Sequence, residues 1–164
     1  MRASMGVFAA FGLVSQAVAA DGVGDRLSKA ILCQGEPQSA VLWLAEMVGQ
    51  DDADAKITES GEDLAYRVDV TLTRPITLAG ASAASAVWEV EGVEDFSGVI
   101  YARFSGDAAA VAKHLELGAA KADAVLLGKF QREVPDGSMC PPTILLQPLQ
   151  GTEFLLGCGW CNGG

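Results

Sequence analysis

From residue 64 onward, apolar and polar positions alternate. Leu64, Tyr66, Val68, Val70 and Leu72 fall on one side, with Ala65, Arg67, Asp69, Thr71 and Thr73 on the other. A period of two is that of a strand with one face on a core and one in water. Arg74-Pro75 interrupts the pattern, and Ile76-Thr77-Leu78 resumes it as an edge. The small residues from Gly80 to Ala86 read as a loop or bend. Ala86, Trp88 and Val90 then alternate with Val87, Glu89 and Glu91, giving a second half-exposed strand. Gly92 to Gly98 turns the chain, and Val99 to Phe104 is apolar enough for a central strand. Further strands are expected from Val125 to Val134, broken at Gly128, and from Thr143 to Leu149. A last strand, Thr152 to Cys158, would be joined to its predecessor by a hairpin at Gln150-Gly151. Cys140-Pro141-Pro142 is rigid and non-helical.

Helical spacing appears in three places. Asp25 is placed to cap a short helix through Leu27, Ala30 and Ile31, ending around Gln34-Gly35. Pro37 suits the first turn of a second helix, where its missing N–H does no harm. Val41, Leu44, Ala45 and Val48 share one face there, Trp43 and Met47 widen it, and Gly49 stops it. Asp107 caps a third helix over Ala108 to Leu117, closed by Gly118. Strands that follow one another through turns imply an antiparallel sheet, with the helices covering one face. The expected fold is a single α+β domain: a sheet of roughly five to seven strands, two N-terminal helices and one mid-chain helix.

The first twenty residues fit a different purpose. Arg2 precedes an apolar run from Met5 to Val14, and polar Ser15-Gln16 leads to small residues at Ala17, Ala19 and Ala20. This is the order of a secretory signal peptide cut after Ala19 or Ala20, and the run is half the length of a membrane span. Residues 1–20 are thus expected to be an address, and residues 21–164 the mature domain of a periplasmic or secreted chain, bacterial in composition: rich in Ala and Gly, with Asn162 its one asparagine.

Charge narrows the partners. The chain carries 11 Lys and Arg against 21 Asp and Glu, a formal net of −10. Nucleic acid and anionic lipid both call for a basic face, so neither fits. Glu89, Glu91, Glu94 and Asp95 gather around one strand and its turn, and such a face would attract a basic protein of the cell envelope. Trp160, in a glycine-rich tail, would either anchor that interface or plug the core beside a disulfide.

Export sets the meaning of the four cysteines, Cys33, Cys140, Cys158 and Cys161. In an oxidising compartment an even number implies disulfides, and four allow three pairings. Stapling the tail to the body is favoured, because Asn162-Gly163-Gly164 needs an anchor. The C-x-x-C spacing of Cys158 and Cys161 raises the alternative of a thiol-disulfide oxidoreductase. That chemistry needs the first cysteine at a helix N-terminus, and three residues remain after Cys161. A zinc site would need a second short cysteine pair.

Little else points to catalysis. His114, the one histidine, falls late in the third helix, where it suits the negative end of the dipole. No G-x-S-x-G elbow, two-histidine zinc spacing or phosphate loop occurs. The acidic run Asp51-Asp52-Ala53-Asp54 resembles a calcium loop only until Lys56, so it reads as solvated. No cofactor and no metal is expected. The function expected is binding: an inhibitor or immunity-type factor against a basic partner.

Overall fold

The computed structural model describes residues 22–60, 65–91, 97–121 and 128–160. Three helices, α1 (Val23–Ile31), α2 (Pro37–Met47) and α3 (Ala108–His114), accompany eight strands. These are β1 (Ala55–Ser60), β2 (Ala65–Leu78), β3 (Ala81–Glu91), β4 (Ser97–Ser105), β5 (Gly118–Ala119), β6 (Phe130–Glu133), β7 (Thr143–Pro148) and β8 (Glu153–Trp160). All eight form one sheet in the order β1-β2-β3-β4-β8-β7-β6-β5, with every neighbouring pair antiparallel. The first four strands form a meander. The last strand then inserts between β4 and β7, so the C-terminal segment lies mid-sheet.

Strand count is the main correction: eight, against the five to seven expected. Two of the additions are short. β1 carries one alternating pair, Ala55 and Ile57, both buried, before three exposed residues. β5 has two residues. Neither is long enough to declare a period. The break expected at Arg74-Pro75 is a register shift between Thr71 and Ile76 within one long strand. There Pro75 needs no ladder partner. The loop expected at Gly80–Ala86 is strand, because the turn is tighter than composition suggests. Leu78 pairs directly with Ala81 across Ala79 and Gly80, both at positive φ, 47° and 84°. Two such residues fit a type I′ hairpin, whose twist matches the strands it joins.

The core lies between the sheet and α1. Val68 and Val70 of β2, Ile100, Ala102 and Phe104 of β4, and Phe154, Leu156 and Cys158 of β8 are each at most 1% exposed. Leu27, Ala30 and Ile31 of α1 pack against them in one cluster. Phe104 and Phe154 stack across β4 and β8 with centroids 5.5 Å apart. α2 lies further out, with Leu44 buried and Leu42 exposed. The Arg26 guanidinium of α1 sits 4.5 Å above the Trp43 ring, a cation–π contact that ties the two helices together. Among the described residues, no helix is long and apolar enough to cross a membrane.

The helix ends depart from expectation in a regular way. Asp107 caps α3 as expected, accepting from the N–H groups of Ala109 and Ala110 at 2.9 and 3.1 Å. Asp25 instead lies within the first turn of α1, whose N-cap is Gly22, because burial of Val23 draws the start forward. At its other end α1 closes with Cys33 N–H donating to Ala30 at 3.0 Å and Gln34 N–H to Lys29 at 2.8 Å. α3 repeats this with Glu116 N–H on Lys113 and Leu117 N–H on Ala112, at 3.2 and 2.9 Å. Both are Schellman motifs, and the left-handed residue is Cys33 (φ 53°) in one and Glu116 (φ 56°) in the other. The glycines expected to close them, Gly35 and Gly118, lie two residues further on.

Candidate functional site

Cys158 fixes which face of the sheet is which. Its sulfur is bonded to Cys33 at the end of α1, with Cα atoms 5.2 Å apart, so Cys158 points to the helix side. Its strand neighbours Gly157 and Gly159 point the other way. Register carries that outer face across the sheet: Gly157 opposes Tyr101, Tyr101 opposes Val87, and Val87 opposes Asp69. In the adjoining row, Gly159 opposes Val99, Val99 opposes Glu89, and Glu89 opposes Arg67. Arg67, Asp69, Glu89 and Tyr101, from three adjacent strands, are thereby gathered on the outer face.

Arg67 organises the group. Its Nε donates to Asp69 Oδ2 at 2.9 Å and its Nη2 to Asp69 Oδ1 at 2.7 Å, a bidentate fork, while Nη1 donates to Glu89 Oε1. The three side chains are 40%, 39% and 31% exposed, so water still screens them. The hydrogen bonds from Arg67 hold Asp69 below the usual carboxylate range. Tyr101 lies beside Glu89 and Arg67, and its hydroxyl is raised above 10, first by burial and then by the Glu89 charge. A guanidinium engaged by two carboxylates has no fork left for an anion, and a phenol raised above its ordinary value is neither base nor nucleophile at neutral pH. The Arg67–Glu89 bond joins β2 to β3, and Tyr101 of β4 lies beside it.

Two strand glycines leave no room for a side chain, one on each face. On the inner face Trp160, 6% exposed, lies against Gly98, where an added Cβ would come within 2.7 Å of ring atom Cε2. On the outer face Tyr101 lies against Gly157, where a Cβ would come within 2.6 Å of the Tyr101 Cβ. Trp160 is therefore a core residue, the second of the two roles considered for it, and presents no surface to a partner. Tyr66 meets Trp88 edge-on at 5.2 Å between centroids, and the Tyr66 hydroxyl donates to Glu59 at 2.7 Å.

Glu89 lies in the Arg67 cluster with its charge matched, and Glu91 closes β3 opposite Ala65 and Ser97. Glu94, Asp95 and Cys161 lie outside the described residues, as do residues 1–21, which hold the expected signal segment. Cys140 is disulfide-bonded. Cys158, on which a redox role would rest, is fully buried and joined to Cys33. Among the described residues, no group of three or more His, Cys, Asp or Glu is placed to hold a metal ion. A cleft of about 310 Å³ opens where α1 begins, lined by Asp25, Ser28, Asp54, Arg74 and Thr77, and within it Arg74 Nη2 is paired with Asp54 Oδ1 at 2.9 Å. Sequence reasoning missed Arg67, Asp69 and Tyr101 as partners of Glu89. Alternation put Arg67, Asp69 and Glu89 on polar faces and Tyr101 fell within an apolar run, but the register that joins them is set by pairing between strands.

Comparison with protein-family models, curated proteins and solved structures finds no match.

Proposed function

We propose that the chain is an exported, non-enzymatic binding protein, an inhibitor or immunity-type factor that recognises a basic protein of the cell envelope. The observation that carries this reading is the distribution of charge. Arg67, Arg74 and Arg103 are each already matched by a carboxylate of the chain itself, and so is Lys121. With 21 acids against 11 bases overall, the surplus is negative, and Glu46, Asp51, Glu116 and Asp136 are among the carboxylates exposed to water. A surface of that kind steers a basic partner toward it over roughly a Debye length, about 10 Å at 0.1 M salt. Export is supported by the charged, apolar and small-residue segments of residues 1–20 together with a buried disulfide, a bond that persists in oxidising compartments. Of the acids expected at the interface, Glu89 lies in the Arg67 cluster, and Glu94 and Asp95 lie outside the described residues.

Immobilised protein exposed to envelope and secreted fractions at low and high salt tests the reading. A single basic protein retained at low salt, and released faster as salt rises, is the expected result. Recovery of no specific partner at either salt would overturn it.

A further inference from the structure

The sheet ends in two unlike edges. At one, β5 has two residues, a short edge that gives another strand little to pair with. At the other, β1 runs over six residues. An antiparallel ladder turns alternate residues toward and away from each neighbour. Thr73 N–H donates to Asp54 O at 2.9 Å and Ala55 opposes Leu72, so Lys56, Thr58 and Ser60 turn their backbone groups to β2. Ala55, Ile57 and Glu59 turn theirs outward. Ala55 N–H is taken by Asp52 Oδ1 at 3.0 Å. The N–H and C=O of Ile57 and Glu59, with the C=O of Ala55, have no partner among the described residues.

α2 flanks this edge. It packs on β1, and on α1 through Trp43 and Arg26. At 100° per residue, Leu42 and Ala45 fall on the side turned away from Trp43. Leu42 is 67% exposed there. Open backbone groups and an exposed apolar helix side thus lie next to each other.

A second copy related by a two-fold axis suits the edge in one register. Crossing at Lys56 sets lysine against lysine, and crossing at Glu59 sets glutamate against glutamate. Crossing at Thr58 sets Ile57 against the partner's Glu59. Crossing at Ile57 sets the two isoleucines together, with Lys56 opposite the partner's Thr58 and Glu59 opposite the partner's Ala55. Ile57 N–H then donates to the partner's Ile57 O, and Glu59 N–H to the partner's Ala55 O. The two-fold axis returns both bonds, so every open donor of the edge is used. Ala55 N–H, already held by Asp52, is the one donor this register leaves idle.

We propose that the chain is a homodimer joined through β1, the two sheets continuing as one across the axis and α2 packing against the partner's α2 beside the seam. A closed two-fold contact of this kind uses the same surface twice. Stable interfaces bury about 1,200–2,000 Å², more than a six-residue strand pair supplies, which is why the exposed side of α2 belongs to the contact.

Sedimentation equilibrium of the full chain, with hydrogen–deuterium exchange at low and high protein concentration, tests the proposal whether or not a basic partner exists. The expected result is twice the chain mass, with the Ile57 and Glu59 amides becoming protected as the dimer forms. Each copy carries a formal net charge of −10, so association should strengthen as salt rises. Glu59→Pro removes an outward donor and no ladder bond within the chain, and should weaken the dimer about 10- to 100-fold. Glu59→Ala loses the same Tyr66 contact but keeps the N–H, and should stay dimeric. Leu42→Glu should weaken the dimer about tenfold or more. A monomer at every concentration would overturn the proposal, whatever the variants do. So would a dimer in which the Ile57 and Glu59 amides exchange as freely as in the monomer, or one that dissociates as salt rises.

Discussion

Cys33 occupies a backbone position that its side chain would not choose. The left-handed conformation costs a non-glycine residue roughly 1–2 kcal/mol, and a Schellman motif ordinarily places glycine there. Cys33 is held at φ 53° by the closing turn of α1, and from there its sulfur is bonded to Cys158. Removing the bond should lower stability by about 4–5 kcal/mol on the chain-entropy account, given a separation of 125 residues. The replacement chosen should then matter. Cys33→Gly with Cys158→Ala should be about 1 kcal/mol more stable than Cys33→Ala with Cys158→Ala, because glycine accepts the left-handed turn. Urea denaturation of both double variants checks it, and equal midpoints would refute the strain at Cys33. The covered glycines give a second test at this scale. Gly98→Ala and Gly157→Ala should each lose about 1–3 kcal/mol through overpacking. Trp160→Phe should recover part of the first loss, because the obstacle at Gly98 is a side-chain ring. No side-chain change should recover the second, because the Cβ at Gly157 meets the β4 backbone, including Tyr101 Cα at 2.8 Å.

At the level of elements, the same backbone preference explains what could be read in the chain and what could not. β2 and the second half of β3 were legible because each alternates with a period of two, and β4, β7 and β8 because each is a short apolar run bounded by turn signals, whereas the first half of β3 read as a loop. β1 and β5 exist because a longer neighbour supplies their hydrogen bonds, as Ala55 to Ser60 do along Leu72 to Arg67, and nothing in the sequence Ala55-Lys56-Ile57-Thr58-Glu59-Ser60 announces that pairing. Helix ends were displaced for a related reason. Glycine marks a left-handed turn cheaply, but Cys33 and Glu116 make theirs under the constraint of tertiary packing, two residues before the glycines that draw attention. The Arg67 cluster was hidden by register, since Arg67 and Glu89 are 22 residues apart and become neighbours only through the β2–β3 hairpin. That hairpin makes its own prediction. Ala79 sits at φ 47°, so Ala79→Gly should raise the unfolding midpoint, by about 1 kcal/mol of stability. A fall in the midpoint would show that the turn tolerates Ala79 without strain.

For the whole molecule, pH acts on stability from both sides. Asp69 titrates lower in the folded chain than in the unfolded one, where aspartate lies near 4. Its contribution is therefore complete above that value and fades as pH falls through the lower folded value. Tyr66 and Tyr101 titrate higher when folded than the usual value near 10. Their contribution is complete below 10 and fades as pH rises toward the raised values. The Asp69 pair is well exposed, so Asp69→Asn should cost no more than about 1 kcal/mol at neutral pH and should flatten the acid limb. Denaturation midpoints across the pH range check the acid side, and ultraviolet titration of tyrosinate checks the alkaline side. An acid limb unchanged in Asp69→Asn would remove Arg67 as its cause.

Strand order also decides what a shortened chain would be. Because β8 is last in sequence but lies between β4 and β7, losing residues 153–164 would open the sheet in its middle. It would expose two long unpaired edges, strip Phe154 and Leu156 from the core, and leave Cys33 without its partner. A chain interrupted near its end would be no partial version of this protein. It would be an aggregation-prone polypeptide that proteases of its compartment would recognise as unfinished.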